Sequence, residues 1–322
     1  MKHTYLFLGI LVLAAMVLMQ QARAADTLLW NKYNDAGQEA YRDGRYVEAE
    51  TLLRNAVEEA KKFDGPDPRL ATSLNNLGEL YRIQGKYSQA ESLYQAALGI
   101  LEKALGPEDP SVATPLNNLA LLYRGTKQYA EAEQLYRRAL VIWFKAYGEE
   151  NPNIAMGLNN LGELYRLQGR SAEAAPLYQS ALIILHKTLG PDHPNVAIVL
   201  SNLASLYRDQ GRYDDARSLY EHSLAIAEKA FGPEHPNVAI NLNNLAALFT
   251  AQGQYVEAER LYRRSLQILE KVLSEDNPEL ATSLENYADL LRRMNRSSEA
   301  ATLEARADAI RKKQSSRNPK GL

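Results

Sequence analysis

A strict internal period limits what this chain can fold into. The nine residues LNNLGELYR occur at positions 74–82 and recur unchanged at 158–166. An asparagine pair, or the residues in its register, returns every 42 positions. The pairs are Asn75-Asn76, Asn117-Asn118, Asn159-Asn160, Ser201-Asn202, Asn243-Asn244 and Glu285-Asn286. A proline keeps the same step, at Pro68, Pro110, Pro152, Pro194, Pro236 and Pro278. Two independent markers with one period indicate an array of repeated structural units.

Each unit contains two helical segments. Apolar residues between positions 70 and 81 follow steps of three and four, which places them on one face of a helix. Gly85 comes next, and glycine supplies the positive φ with which many helices end. Residues 87–105 repeat the helical spacing and stop before Gly106-Pro107. The sequence therefore predicts a helix, a tight turn, a longer helix and a proline-containing loop in every unit.

Small and large residues hold matching positions in the units. Small residues stand where two helices must approach closely, and tyrosines are placed to fill the space beside them. One small set is Gly78, Ala120, Gly162, Ala204, Ala246 and Ala288, and the other is Ala90, Ala132, Ala174, Ala216, Ala258 and Ala300. One tyrosine set is Tyr81, Tyr123, Tyr165 and Tyr207, and the other is Tyr94, Tyr136, Tyr178, Tyr220 and Tyr262.

The segment LNNLGELYRIQGKYSQAESLYQAAL, residues 74–98, resembles a tetratricopeptide repeat. The 42-residue step, the phrase HPNVAI at His193 and His235, and YAEAEQLYRRAL from Tyr129 resemble more narrowly the repeats of kinesin light chains. This resemblance implies an all-α, right-handed α-solenoid of about seven helix pairs whose first helices line a concave groove. We expect the array to cover residues 25–312, with a diverged first unit and a polar last unit that caps it.

The two ends of the chain have other patterns. Lys2 precedes an apolar run over residues 5–19, and Ala22-Arg23-Ala24 has the small-x-small form of a cleavage site. We therefore predict a signal peptide over residues 1–24, cleaved after Ala24, and a periplasmic or secreted protein. The alternative, an uncleaved anchor, is disfavoured because fifteen apolar residues are fewer than the roughly 18 of a spanning helix. No stable membrane span is expected after cleavage, and the basic tail 313–322 is predicted to be disordered.

Composition argues against several classes of function. Removing residues 1–24 removes Lys2 and Arg23 but no acidic residue, so the formal charge changes from −2 to −4. This charge argues against nucleic acid as a partner. The absence of cysteine excludes disulfides, thiolate metal sites and a cysteine nucleophile. The five histidines form no catalytic or metal-binding pattern, and every glycine cluster is a helix turn in register. We predict no enzyme activity, no metal and no cofactor.

Candidate binding residues follow from helical spacing. The first asparagine of each pair shares one helix face with the residues four and seven positions later. Asparagine amides can pair with an extended peptide backbone, and arginines can bind carboxylates through two hydrogen bonds. The predicted groove residues are Asn75, Arg82, Asn117, Arg124, Asn159, Arg166, Arg208 and Asn243.

These positions also have structural interpretations. Arg82 and Arg166 lie three residues after Glu79 and Glu163, so a local ion pair explains them equally well. Arg124 and Arg208 follow Leu121 and Ser205 instead, which makes them the better candidates for binding, although Asp209 adjoins Arg208.

Two further sets of positions are assigned to structure alone. The second asparagine of each pair is assigned to the repeat junction, where its amide should satisfy backbone groups. His193 and His235 occupy a turn-forming polar position before proline, and we expect no metal there.

The resemblance also suggests a function. Kinesin light chains bind short peptides in which acidic residues flank an aromatic, using a groove of this type. The resemblance implies a scaffold that binds an extended, acidic segment of another exported protein. A signal peptide stands where kinesin light chains have a coiled coil, so motor-adaptor function is not expected. The alternative is a structural protein that associates with itself, or with an envelope assembly, through its convex face or its ends.

Overall fold

A computed structural model describes residues 26–317, within which the chain forms fourteen α-helices. The predicted signal peptide and residues 318–322 lie outside this part. The helices are α1 (26–42), α2 (Tyr46–Ala60), α3 (Pro68–Ile83), α4 (Tyr87–Leu105), α5 (Pro110–Gly125), α6 (Tyr129–Tyr147), α7 (Pro152–Leu167), α8 (Ser171–Leu189), α9 (Pro194–Asp209), α10 (Tyr213–Phe231), α11 (Pro236–Ala251), α12 (Tyr255–Val272), α13 (Pro278–Arg293) and α14 (Ser297–Arg317). The prediction of an all-α, right-handed solenoid of seven helix pairs is confirmed. No helix among the described residues is long and apolar enough to cross a bilayer.

The proline with the 42-residue period begins the first helix of each pair from α3 onward. Proline suits this position because its missing N–H has no helical partner there. The residue before it is the N-cap, whose side chain accepts a hydrogen bond from the backbone N–H two residues later, at 2.8 Å for Asp67 and 3.1 Å for His193 Nδ1. The predicted turn-forming position is thus a helix cap, and His193 and His235 fill it with a ring nitrogen.

The turns between paired helices require a left-handed residue. Gly85 has φ of +70°, as the sequence predicts. Lys127 and Asn295 occupy the corresponding turns of the third and seventh pairs with φ of +62°. Most residues with a side chain cost about 1 kcal/mol or more in this region, so the turn at Lys127 carries local strain, whereas asparagine adopts this conformation more readily.

The helices form two layers. First helices of successive pairs, such as α7 and α9, contact one another, whereas successive second helices in the described chain do not make comparable contacts. The solenoid therefore curves toward the first helices, which line its concave side. Between the layers, the five tyrosines of the Tyr94 set are at most 1% exposed. A Cβ atom at Gly78 would lie 2.9 Å from the Tyr94 ring, which explains the small residue there.

The last helix departs from the sequence-based boundary. We predicted that the array ends at residue 312, but α14 continues to Arg317. Gln314 explains the extension, since it is buried and its Nε2 donates to the carbonyl oxygen of Asp276 at 2.6 Å. The disorder predicted for residues 318–322 lies outside the described residues.

Successive turns of the coil also touch, through what we call the inter-turn contact. It joins residues 42–46 and 83–87 of the first two pairs to residues 235–236, 271–279 and 311–314 of the last two. His235 Nδ1 accepts from the N–H of Asn237, so the ring proton is on Nε2, which donates to the carbonyl oxygen of Arg42 at 2.6 Å. Asn277 Nδ2 donates to the carbonyl oxygen of Ile83 at 3.3 Å. These partners are 193 and 194 positions apart, so one turn of the coil takes between four and five 42-residue repeats.

Candidate peptide-binding groove

The asparagines form a hydrogen-bonded ladder across the repeat junctions. Asn118 Nδ2 donates to Asn75 Oδ1 at 3.0 Å, and Asn160 Nδ2 donates to Asn117 Oδ1 at the same distance. Asn202 Nδ2 continues the series with Asn159 Oδ1 at 2.9 Å. The second asparagine therefore holds neighbouring pairs together, as predicted. The predicted acceptor was wrong, however, because it is a side chain of the preceding pair and not its backbone.

The ladder bears on the four asparagines predicted to bind peptide. Asn75, Asn117 and Asn159 use their side-chain carbonyls at the junctions, and Asn159 is only 1% exposed. Asn243 differs, because its buried Oδ1 has no hydrogen-bond partner among the described residues. This oxygen is buried, so it is not exposed to a ligand in the groove.

Two of the four predicted arginines are engaged by acidic residues of their own helix. Arg82 donates to Glu79 at 2.7 and 2.9 Å, and Arg166 donates to Glu163 at 2.8 and 2.9 Å. Burial raises the pKa of Glu79, but the Arg82 charge and three hydrogen-bonding side chains outweigh it and lower the pKa to about 2. Glu79 therefore stays ionised, and the local ion pairs considered from the sequence are present.

The arginines seven positions after the first residue of each asparagine pair, or its equivalent, are not equivalent in the remaining helix pairs. Arg208 pairs with Asp209 at 3.1 Å, and Asp209 also pairs with Arg166 of the preceding repeat. Arg292 of the seventh pair donates to Glu304 at 2.6 Å. The Arg124 side chain is half-buried and forms no ion pair or hydrogen bond among the described residues. Of the five arginines at this position, it is the one whose charge no ion pair neutralises within the described chain.

Tyrosine hydroxyls from the second helices contact the residues four positions after the first residue of each asparagine pair or its equivalent. Helical spacing on the first helices alone did not predict these contacts. Tyr94 donates to Glu79 at 2.8 Å, and Tyr178 donates to Glu163 at 2.9 Å. The Tyr220 hydroxyl lies 2.7 Å from Ser205 Oγ. Each tyrosine stands fifteen residues after its partner, and this constant offset is the signal that could have revealed the pairing from sequence.

The groove presents amides, carboxylates, guanidinium groups and hydroxyls, which form hydrogen bonds and ion pairs. No group of three or more acidic or histidine side chains within residues 26–317 is arranged to hold a metal ion. The polar groups of the groove suit recognition of another polymer, because they match peptide amides and carboxylates.

The fold and this groove define an α-solenoid of the kind that binds proteins. The chain belongs to the tetratricopeptide repeat family, whose model matches residues 31–103, 69–143, 111–185, 153–229, 196–271 and 238–313. These overlapping matches span the seven helix pairs and confirm the resemblance inferred from the repeats. No curated protein matches the chain.

Solved structures are similar to this one. A Rap protein complexed with Competence and Sporulation Factor is 17% identical, with a TM-score of 0.70, and the match covers 90% of this chain and 76% of that chain. BtubC (BKLC) from P. vanneervenii is 21% identical, with a TM-score of 0.52 over 71% of this chain and 90% of that chain. Kinesin-light-chain TPR-like repeats from Podosopora anserina are 29% identical, with a TM-score of 0.48 over 65% of this chain and 98% of that chain.

Proposed function

We propose that this protein is an exported scaffold whose concave groove binds an extended, acidic segment of a partner protein. Membership of the tetratricopeptide repeat family supports a role in binding proteins or peptides. The first helices line one continuous groove, and their polar positions recur at a fixed step along it. A ligand that repeats the same contact from pair to pair must itself be extended.

The observation that carries the acidic preference is the state of Arg124. A half-buried guanidinium without an ion pair is less well solvated than one in water, so it gains from an incoming negative charge. Among the four predicted groove arginines, Arg124 is the one whose charge is not paired within the described chain.

Export is proposed from the sequence pattern of residues 1–24. An apolar run followed by a small-x-small site is typical of a cleaved signal peptide. Amino-terminal sequencing of the protein recovered outside the cytoplasm should begin at Ala25. Recovery of the intact amino terminus from the cytoplasm would contradict export and would leave the binding proposal to its own test.

The binding proposal is tested by affinity capture with the immobilised chain lacking residues 1–24, at low salt. Arg124→Glu reverses the charge in the groove, and Arg260→Glu makes the same change at an exposed position of the second-helix layer. We expect the parent and Arg260→Glu to retain a partner that Arg124→Glu releases. Equal retention by all three chains would show that the groove is not the binding surface and would favour association through the convex face or the ends.

A further inference from the structure

The third helix pair lacks one carboxylate that the other arginine-bearing pairs possess. In five pairs an arginine stands seven positions after the first residue of the asparagine pair or its equivalent. In four of them an acidic side chain of the chain itself binds it. The four acceptors are Glu79, Glu163, Asp209 and Glu304. In the third pair, Leu121 stands where Glu79 and Glu163 stand in the second and fourth, and Arg124 has no ion pair.

A second group in the third pair is also without a partner. Tyr136 is fully buried, and its hydroxyl makes no hydrogen bond among the described residues. The equivalent Tyr94 and Tyr178 hydroxyls donate to the glutamates that Leu121 replaces. An unpaired buried hydroxyl costs roughly 1–3 kcal/mol, so this arrangement is unfavourable unless something supplies the acceptor.

We propose that Arg124 and the Tyr136 hydroxyl form a subsite for one carboxylate of a bound partner, which takes the place that Glu79 fills in the second pair. The proposal rests on the groove-binding function above and specifies the chemistry at one position of that groove. Both protein groups donate hydrogen bonds, and a carboxylate accepts from both at once. A neutral amide oxygen would match the donors but not the charge of Arg124.

The route to the subsite passes Leu121. Leu121 and Arg124 are both half-buried, so each exposes part of its side chain to the groove. The leucine side chain has to rotate before a carboxylate can contact the hydroxyl, whereas Arg124 can be reached first. The apolar side chain then shields the ion pair from water, which strengthens the attraction between the charges.

Defined peptides provide the direct test. The probes are an acetylated and amidated alanine pentapeptide with one central glutamate, its glutamine analogue, and an acetylated alanine pentapeptide with a free carboxyl terminus. We expect a carboxylate-bearing peptide to bind the parent chain about tenfold more tightly than the glutamine analogue, the ratio for a charge-assisted hydrogen bond. The glutamate and free-terminus peptides distinguish the two sources of the carboxylate. Equal affinity for all three, or no binding by any, would overturn the subsite.

Leu121→Glu supplies the carboxylate from the protein itself and is the sharper test. It should raise the melting temperature and lower affinity for the carboxylate peptide about tenfold, because the subsite is then occupied. Leu121→Gln is the matched control of equal size: its amide oxygen can accept from both donors but carries no charge, so both effects should be smaller than in Leu121→Glu. Circular dichroism verifies that both variants remain helical. A Leu121→Glu protein that melts below Leu121→Gln, or binds the peptide like the parent, would contradict the geometry.

Tyr136→Phe and Tyr178→Phe separate binding from folding. Tyr136→Phe removes a hydroxyl that has no partner, so the melting temperature should not fall while carboxylate affinity does. Tyr178→Phe removes the donor to Glu163 and should lower the melting temperature. If Arg124→Glu still releases the captured partner but Leu121→Glu does not, the groove function stands and the subsite is wrong. If neither variant releases it, the groove function itself fails.

Discussion

The repeat junctions and the inter-turn contact hold the coil in different ways. A junction lies within a shared cluster of buried apolar side chains from neighbouring pairs, and asparagine side chains bridge it at 2.9–3.0 Å. The inter-turn contact relies on side chains that donate to backbone carbonyls, such as Asn277 to Ile83. It also contains a cleft of about 800 Å³ between residues 43–52 and 271–277. Junctions therefore supply the stability of the array, whereas the inter-turn contact sets how tightly it is coiled.

Removing a buried ring from between the two helix layers should have the largest effect. Tyr178→Ala removes a fully buried ring and should lower the free energy of unfolding by about 3–5 kcal/mol, because both the apolar contact and the packing are lost. Tyr147→Ala is the control, since Tyr147 is 49% exposed and its loss should change stability by about 0.5 kcal/mol or less. Urea denaturation measures both. Similar losses for the two variants would show that the buried tyrosines do not stabilise the array.

The asparagine ladder should matter less than the tyrosines. Asn202→Ala leaves the buried Asn159 carbonyl without its donor and should cost about 1–3 kcal/mol in urea denaturation. Asn286 holds the same register, but its side chain makes no hydrogen bond within residues 26–317, so Asn286→Ala should be near neutral. An equal cost at both positions would mean that the hydrogen bond is not the source of the effect.

Two glycine substitutions test whether the inter-turn contact holds the turns together. Gly85 and Gly169 have φ of +70° and +75°, so alanine should cost roughly 1 kcal/mol at either position. A Cβ atom at Gly85 would also overlap the side chain of Gln314, whereas the space beside Gly169 is open. Gly85→Ala should therefore increase the radius of gyration in small-angle scattering, and Gly169→Ala should not. Unchanged values for both would show that the contact between Gly85 and Gln314 does not hold the turns together.

The smallest effect concerns pH. Burial and the negative charge of Glu79 raise the pKa of Glu279 above its ordinary 4.5, with Arg82 opposing them. The folded chain thus binds this proton more readily than the unfolded chain. The contribution of Glu279 to folding stability is therefore complete below pH 4.5 and is lost as the pH rises through the raised pKa of the folded chain. Glu79 acts in the opposite sense, since its contribution is lost as the pH falls from 4.5 toward 2.

Glu279→Gln separates these two acids. It should melt at a higher temperature than the parent at pH 7, and the difference should shrink as the pH falls and vanish well below pH 4.5, where Glu279 is protonated in the folded and unfolded chains alike. Glu275→Gln removes an exposed carboxylate from the same loop and serves as the control. A difference that persists well below pH 4.5 would assign the effect to packing and not to charge.

The repeat junctions and the inter-turn contact also differ in how far they could be predicted from the sequence. A period shows which residues share a position, so the helix pairs, the small residues, the tyrosines and the N-cap position followed from it. Junction partners were partly accessible, and Asn118 with Asn75 shows why. Each of them was assigned a role from the sequence, but their hydrogen bond joins the second asparagine of one helix pair to the first asparagine of the preceding pair, which the period alone does not indicate. The inter-turn contact was not accessible, because partners 193 and 194 positions apart do not lie in the 42-residue register.

The candidate site shows the same division. The sequence predicted Arg124 as a binding candidate because Leu121, and not an acidic residue, stands three positions before it. Such spacing on one helix can be determined from sequence alone. The Tyr136 hydroxyl was missed because its link to the groove runs between two helices. Whether the eight predicted groove residues bind a peptide remains a prediction for the experiments above.

The touching turns restrict how any guest reaches the inner surface. His235 and Asn277 hydrogen-bond to the carbonyls of Arg42 and Ile83, so the last two pairs lie beside the first two and limit access to the inner surface from that side. A guest with a free chain end could enter along the axis of the coil, whereas a loop fixed at both ends would need these hydrogen bonds to open.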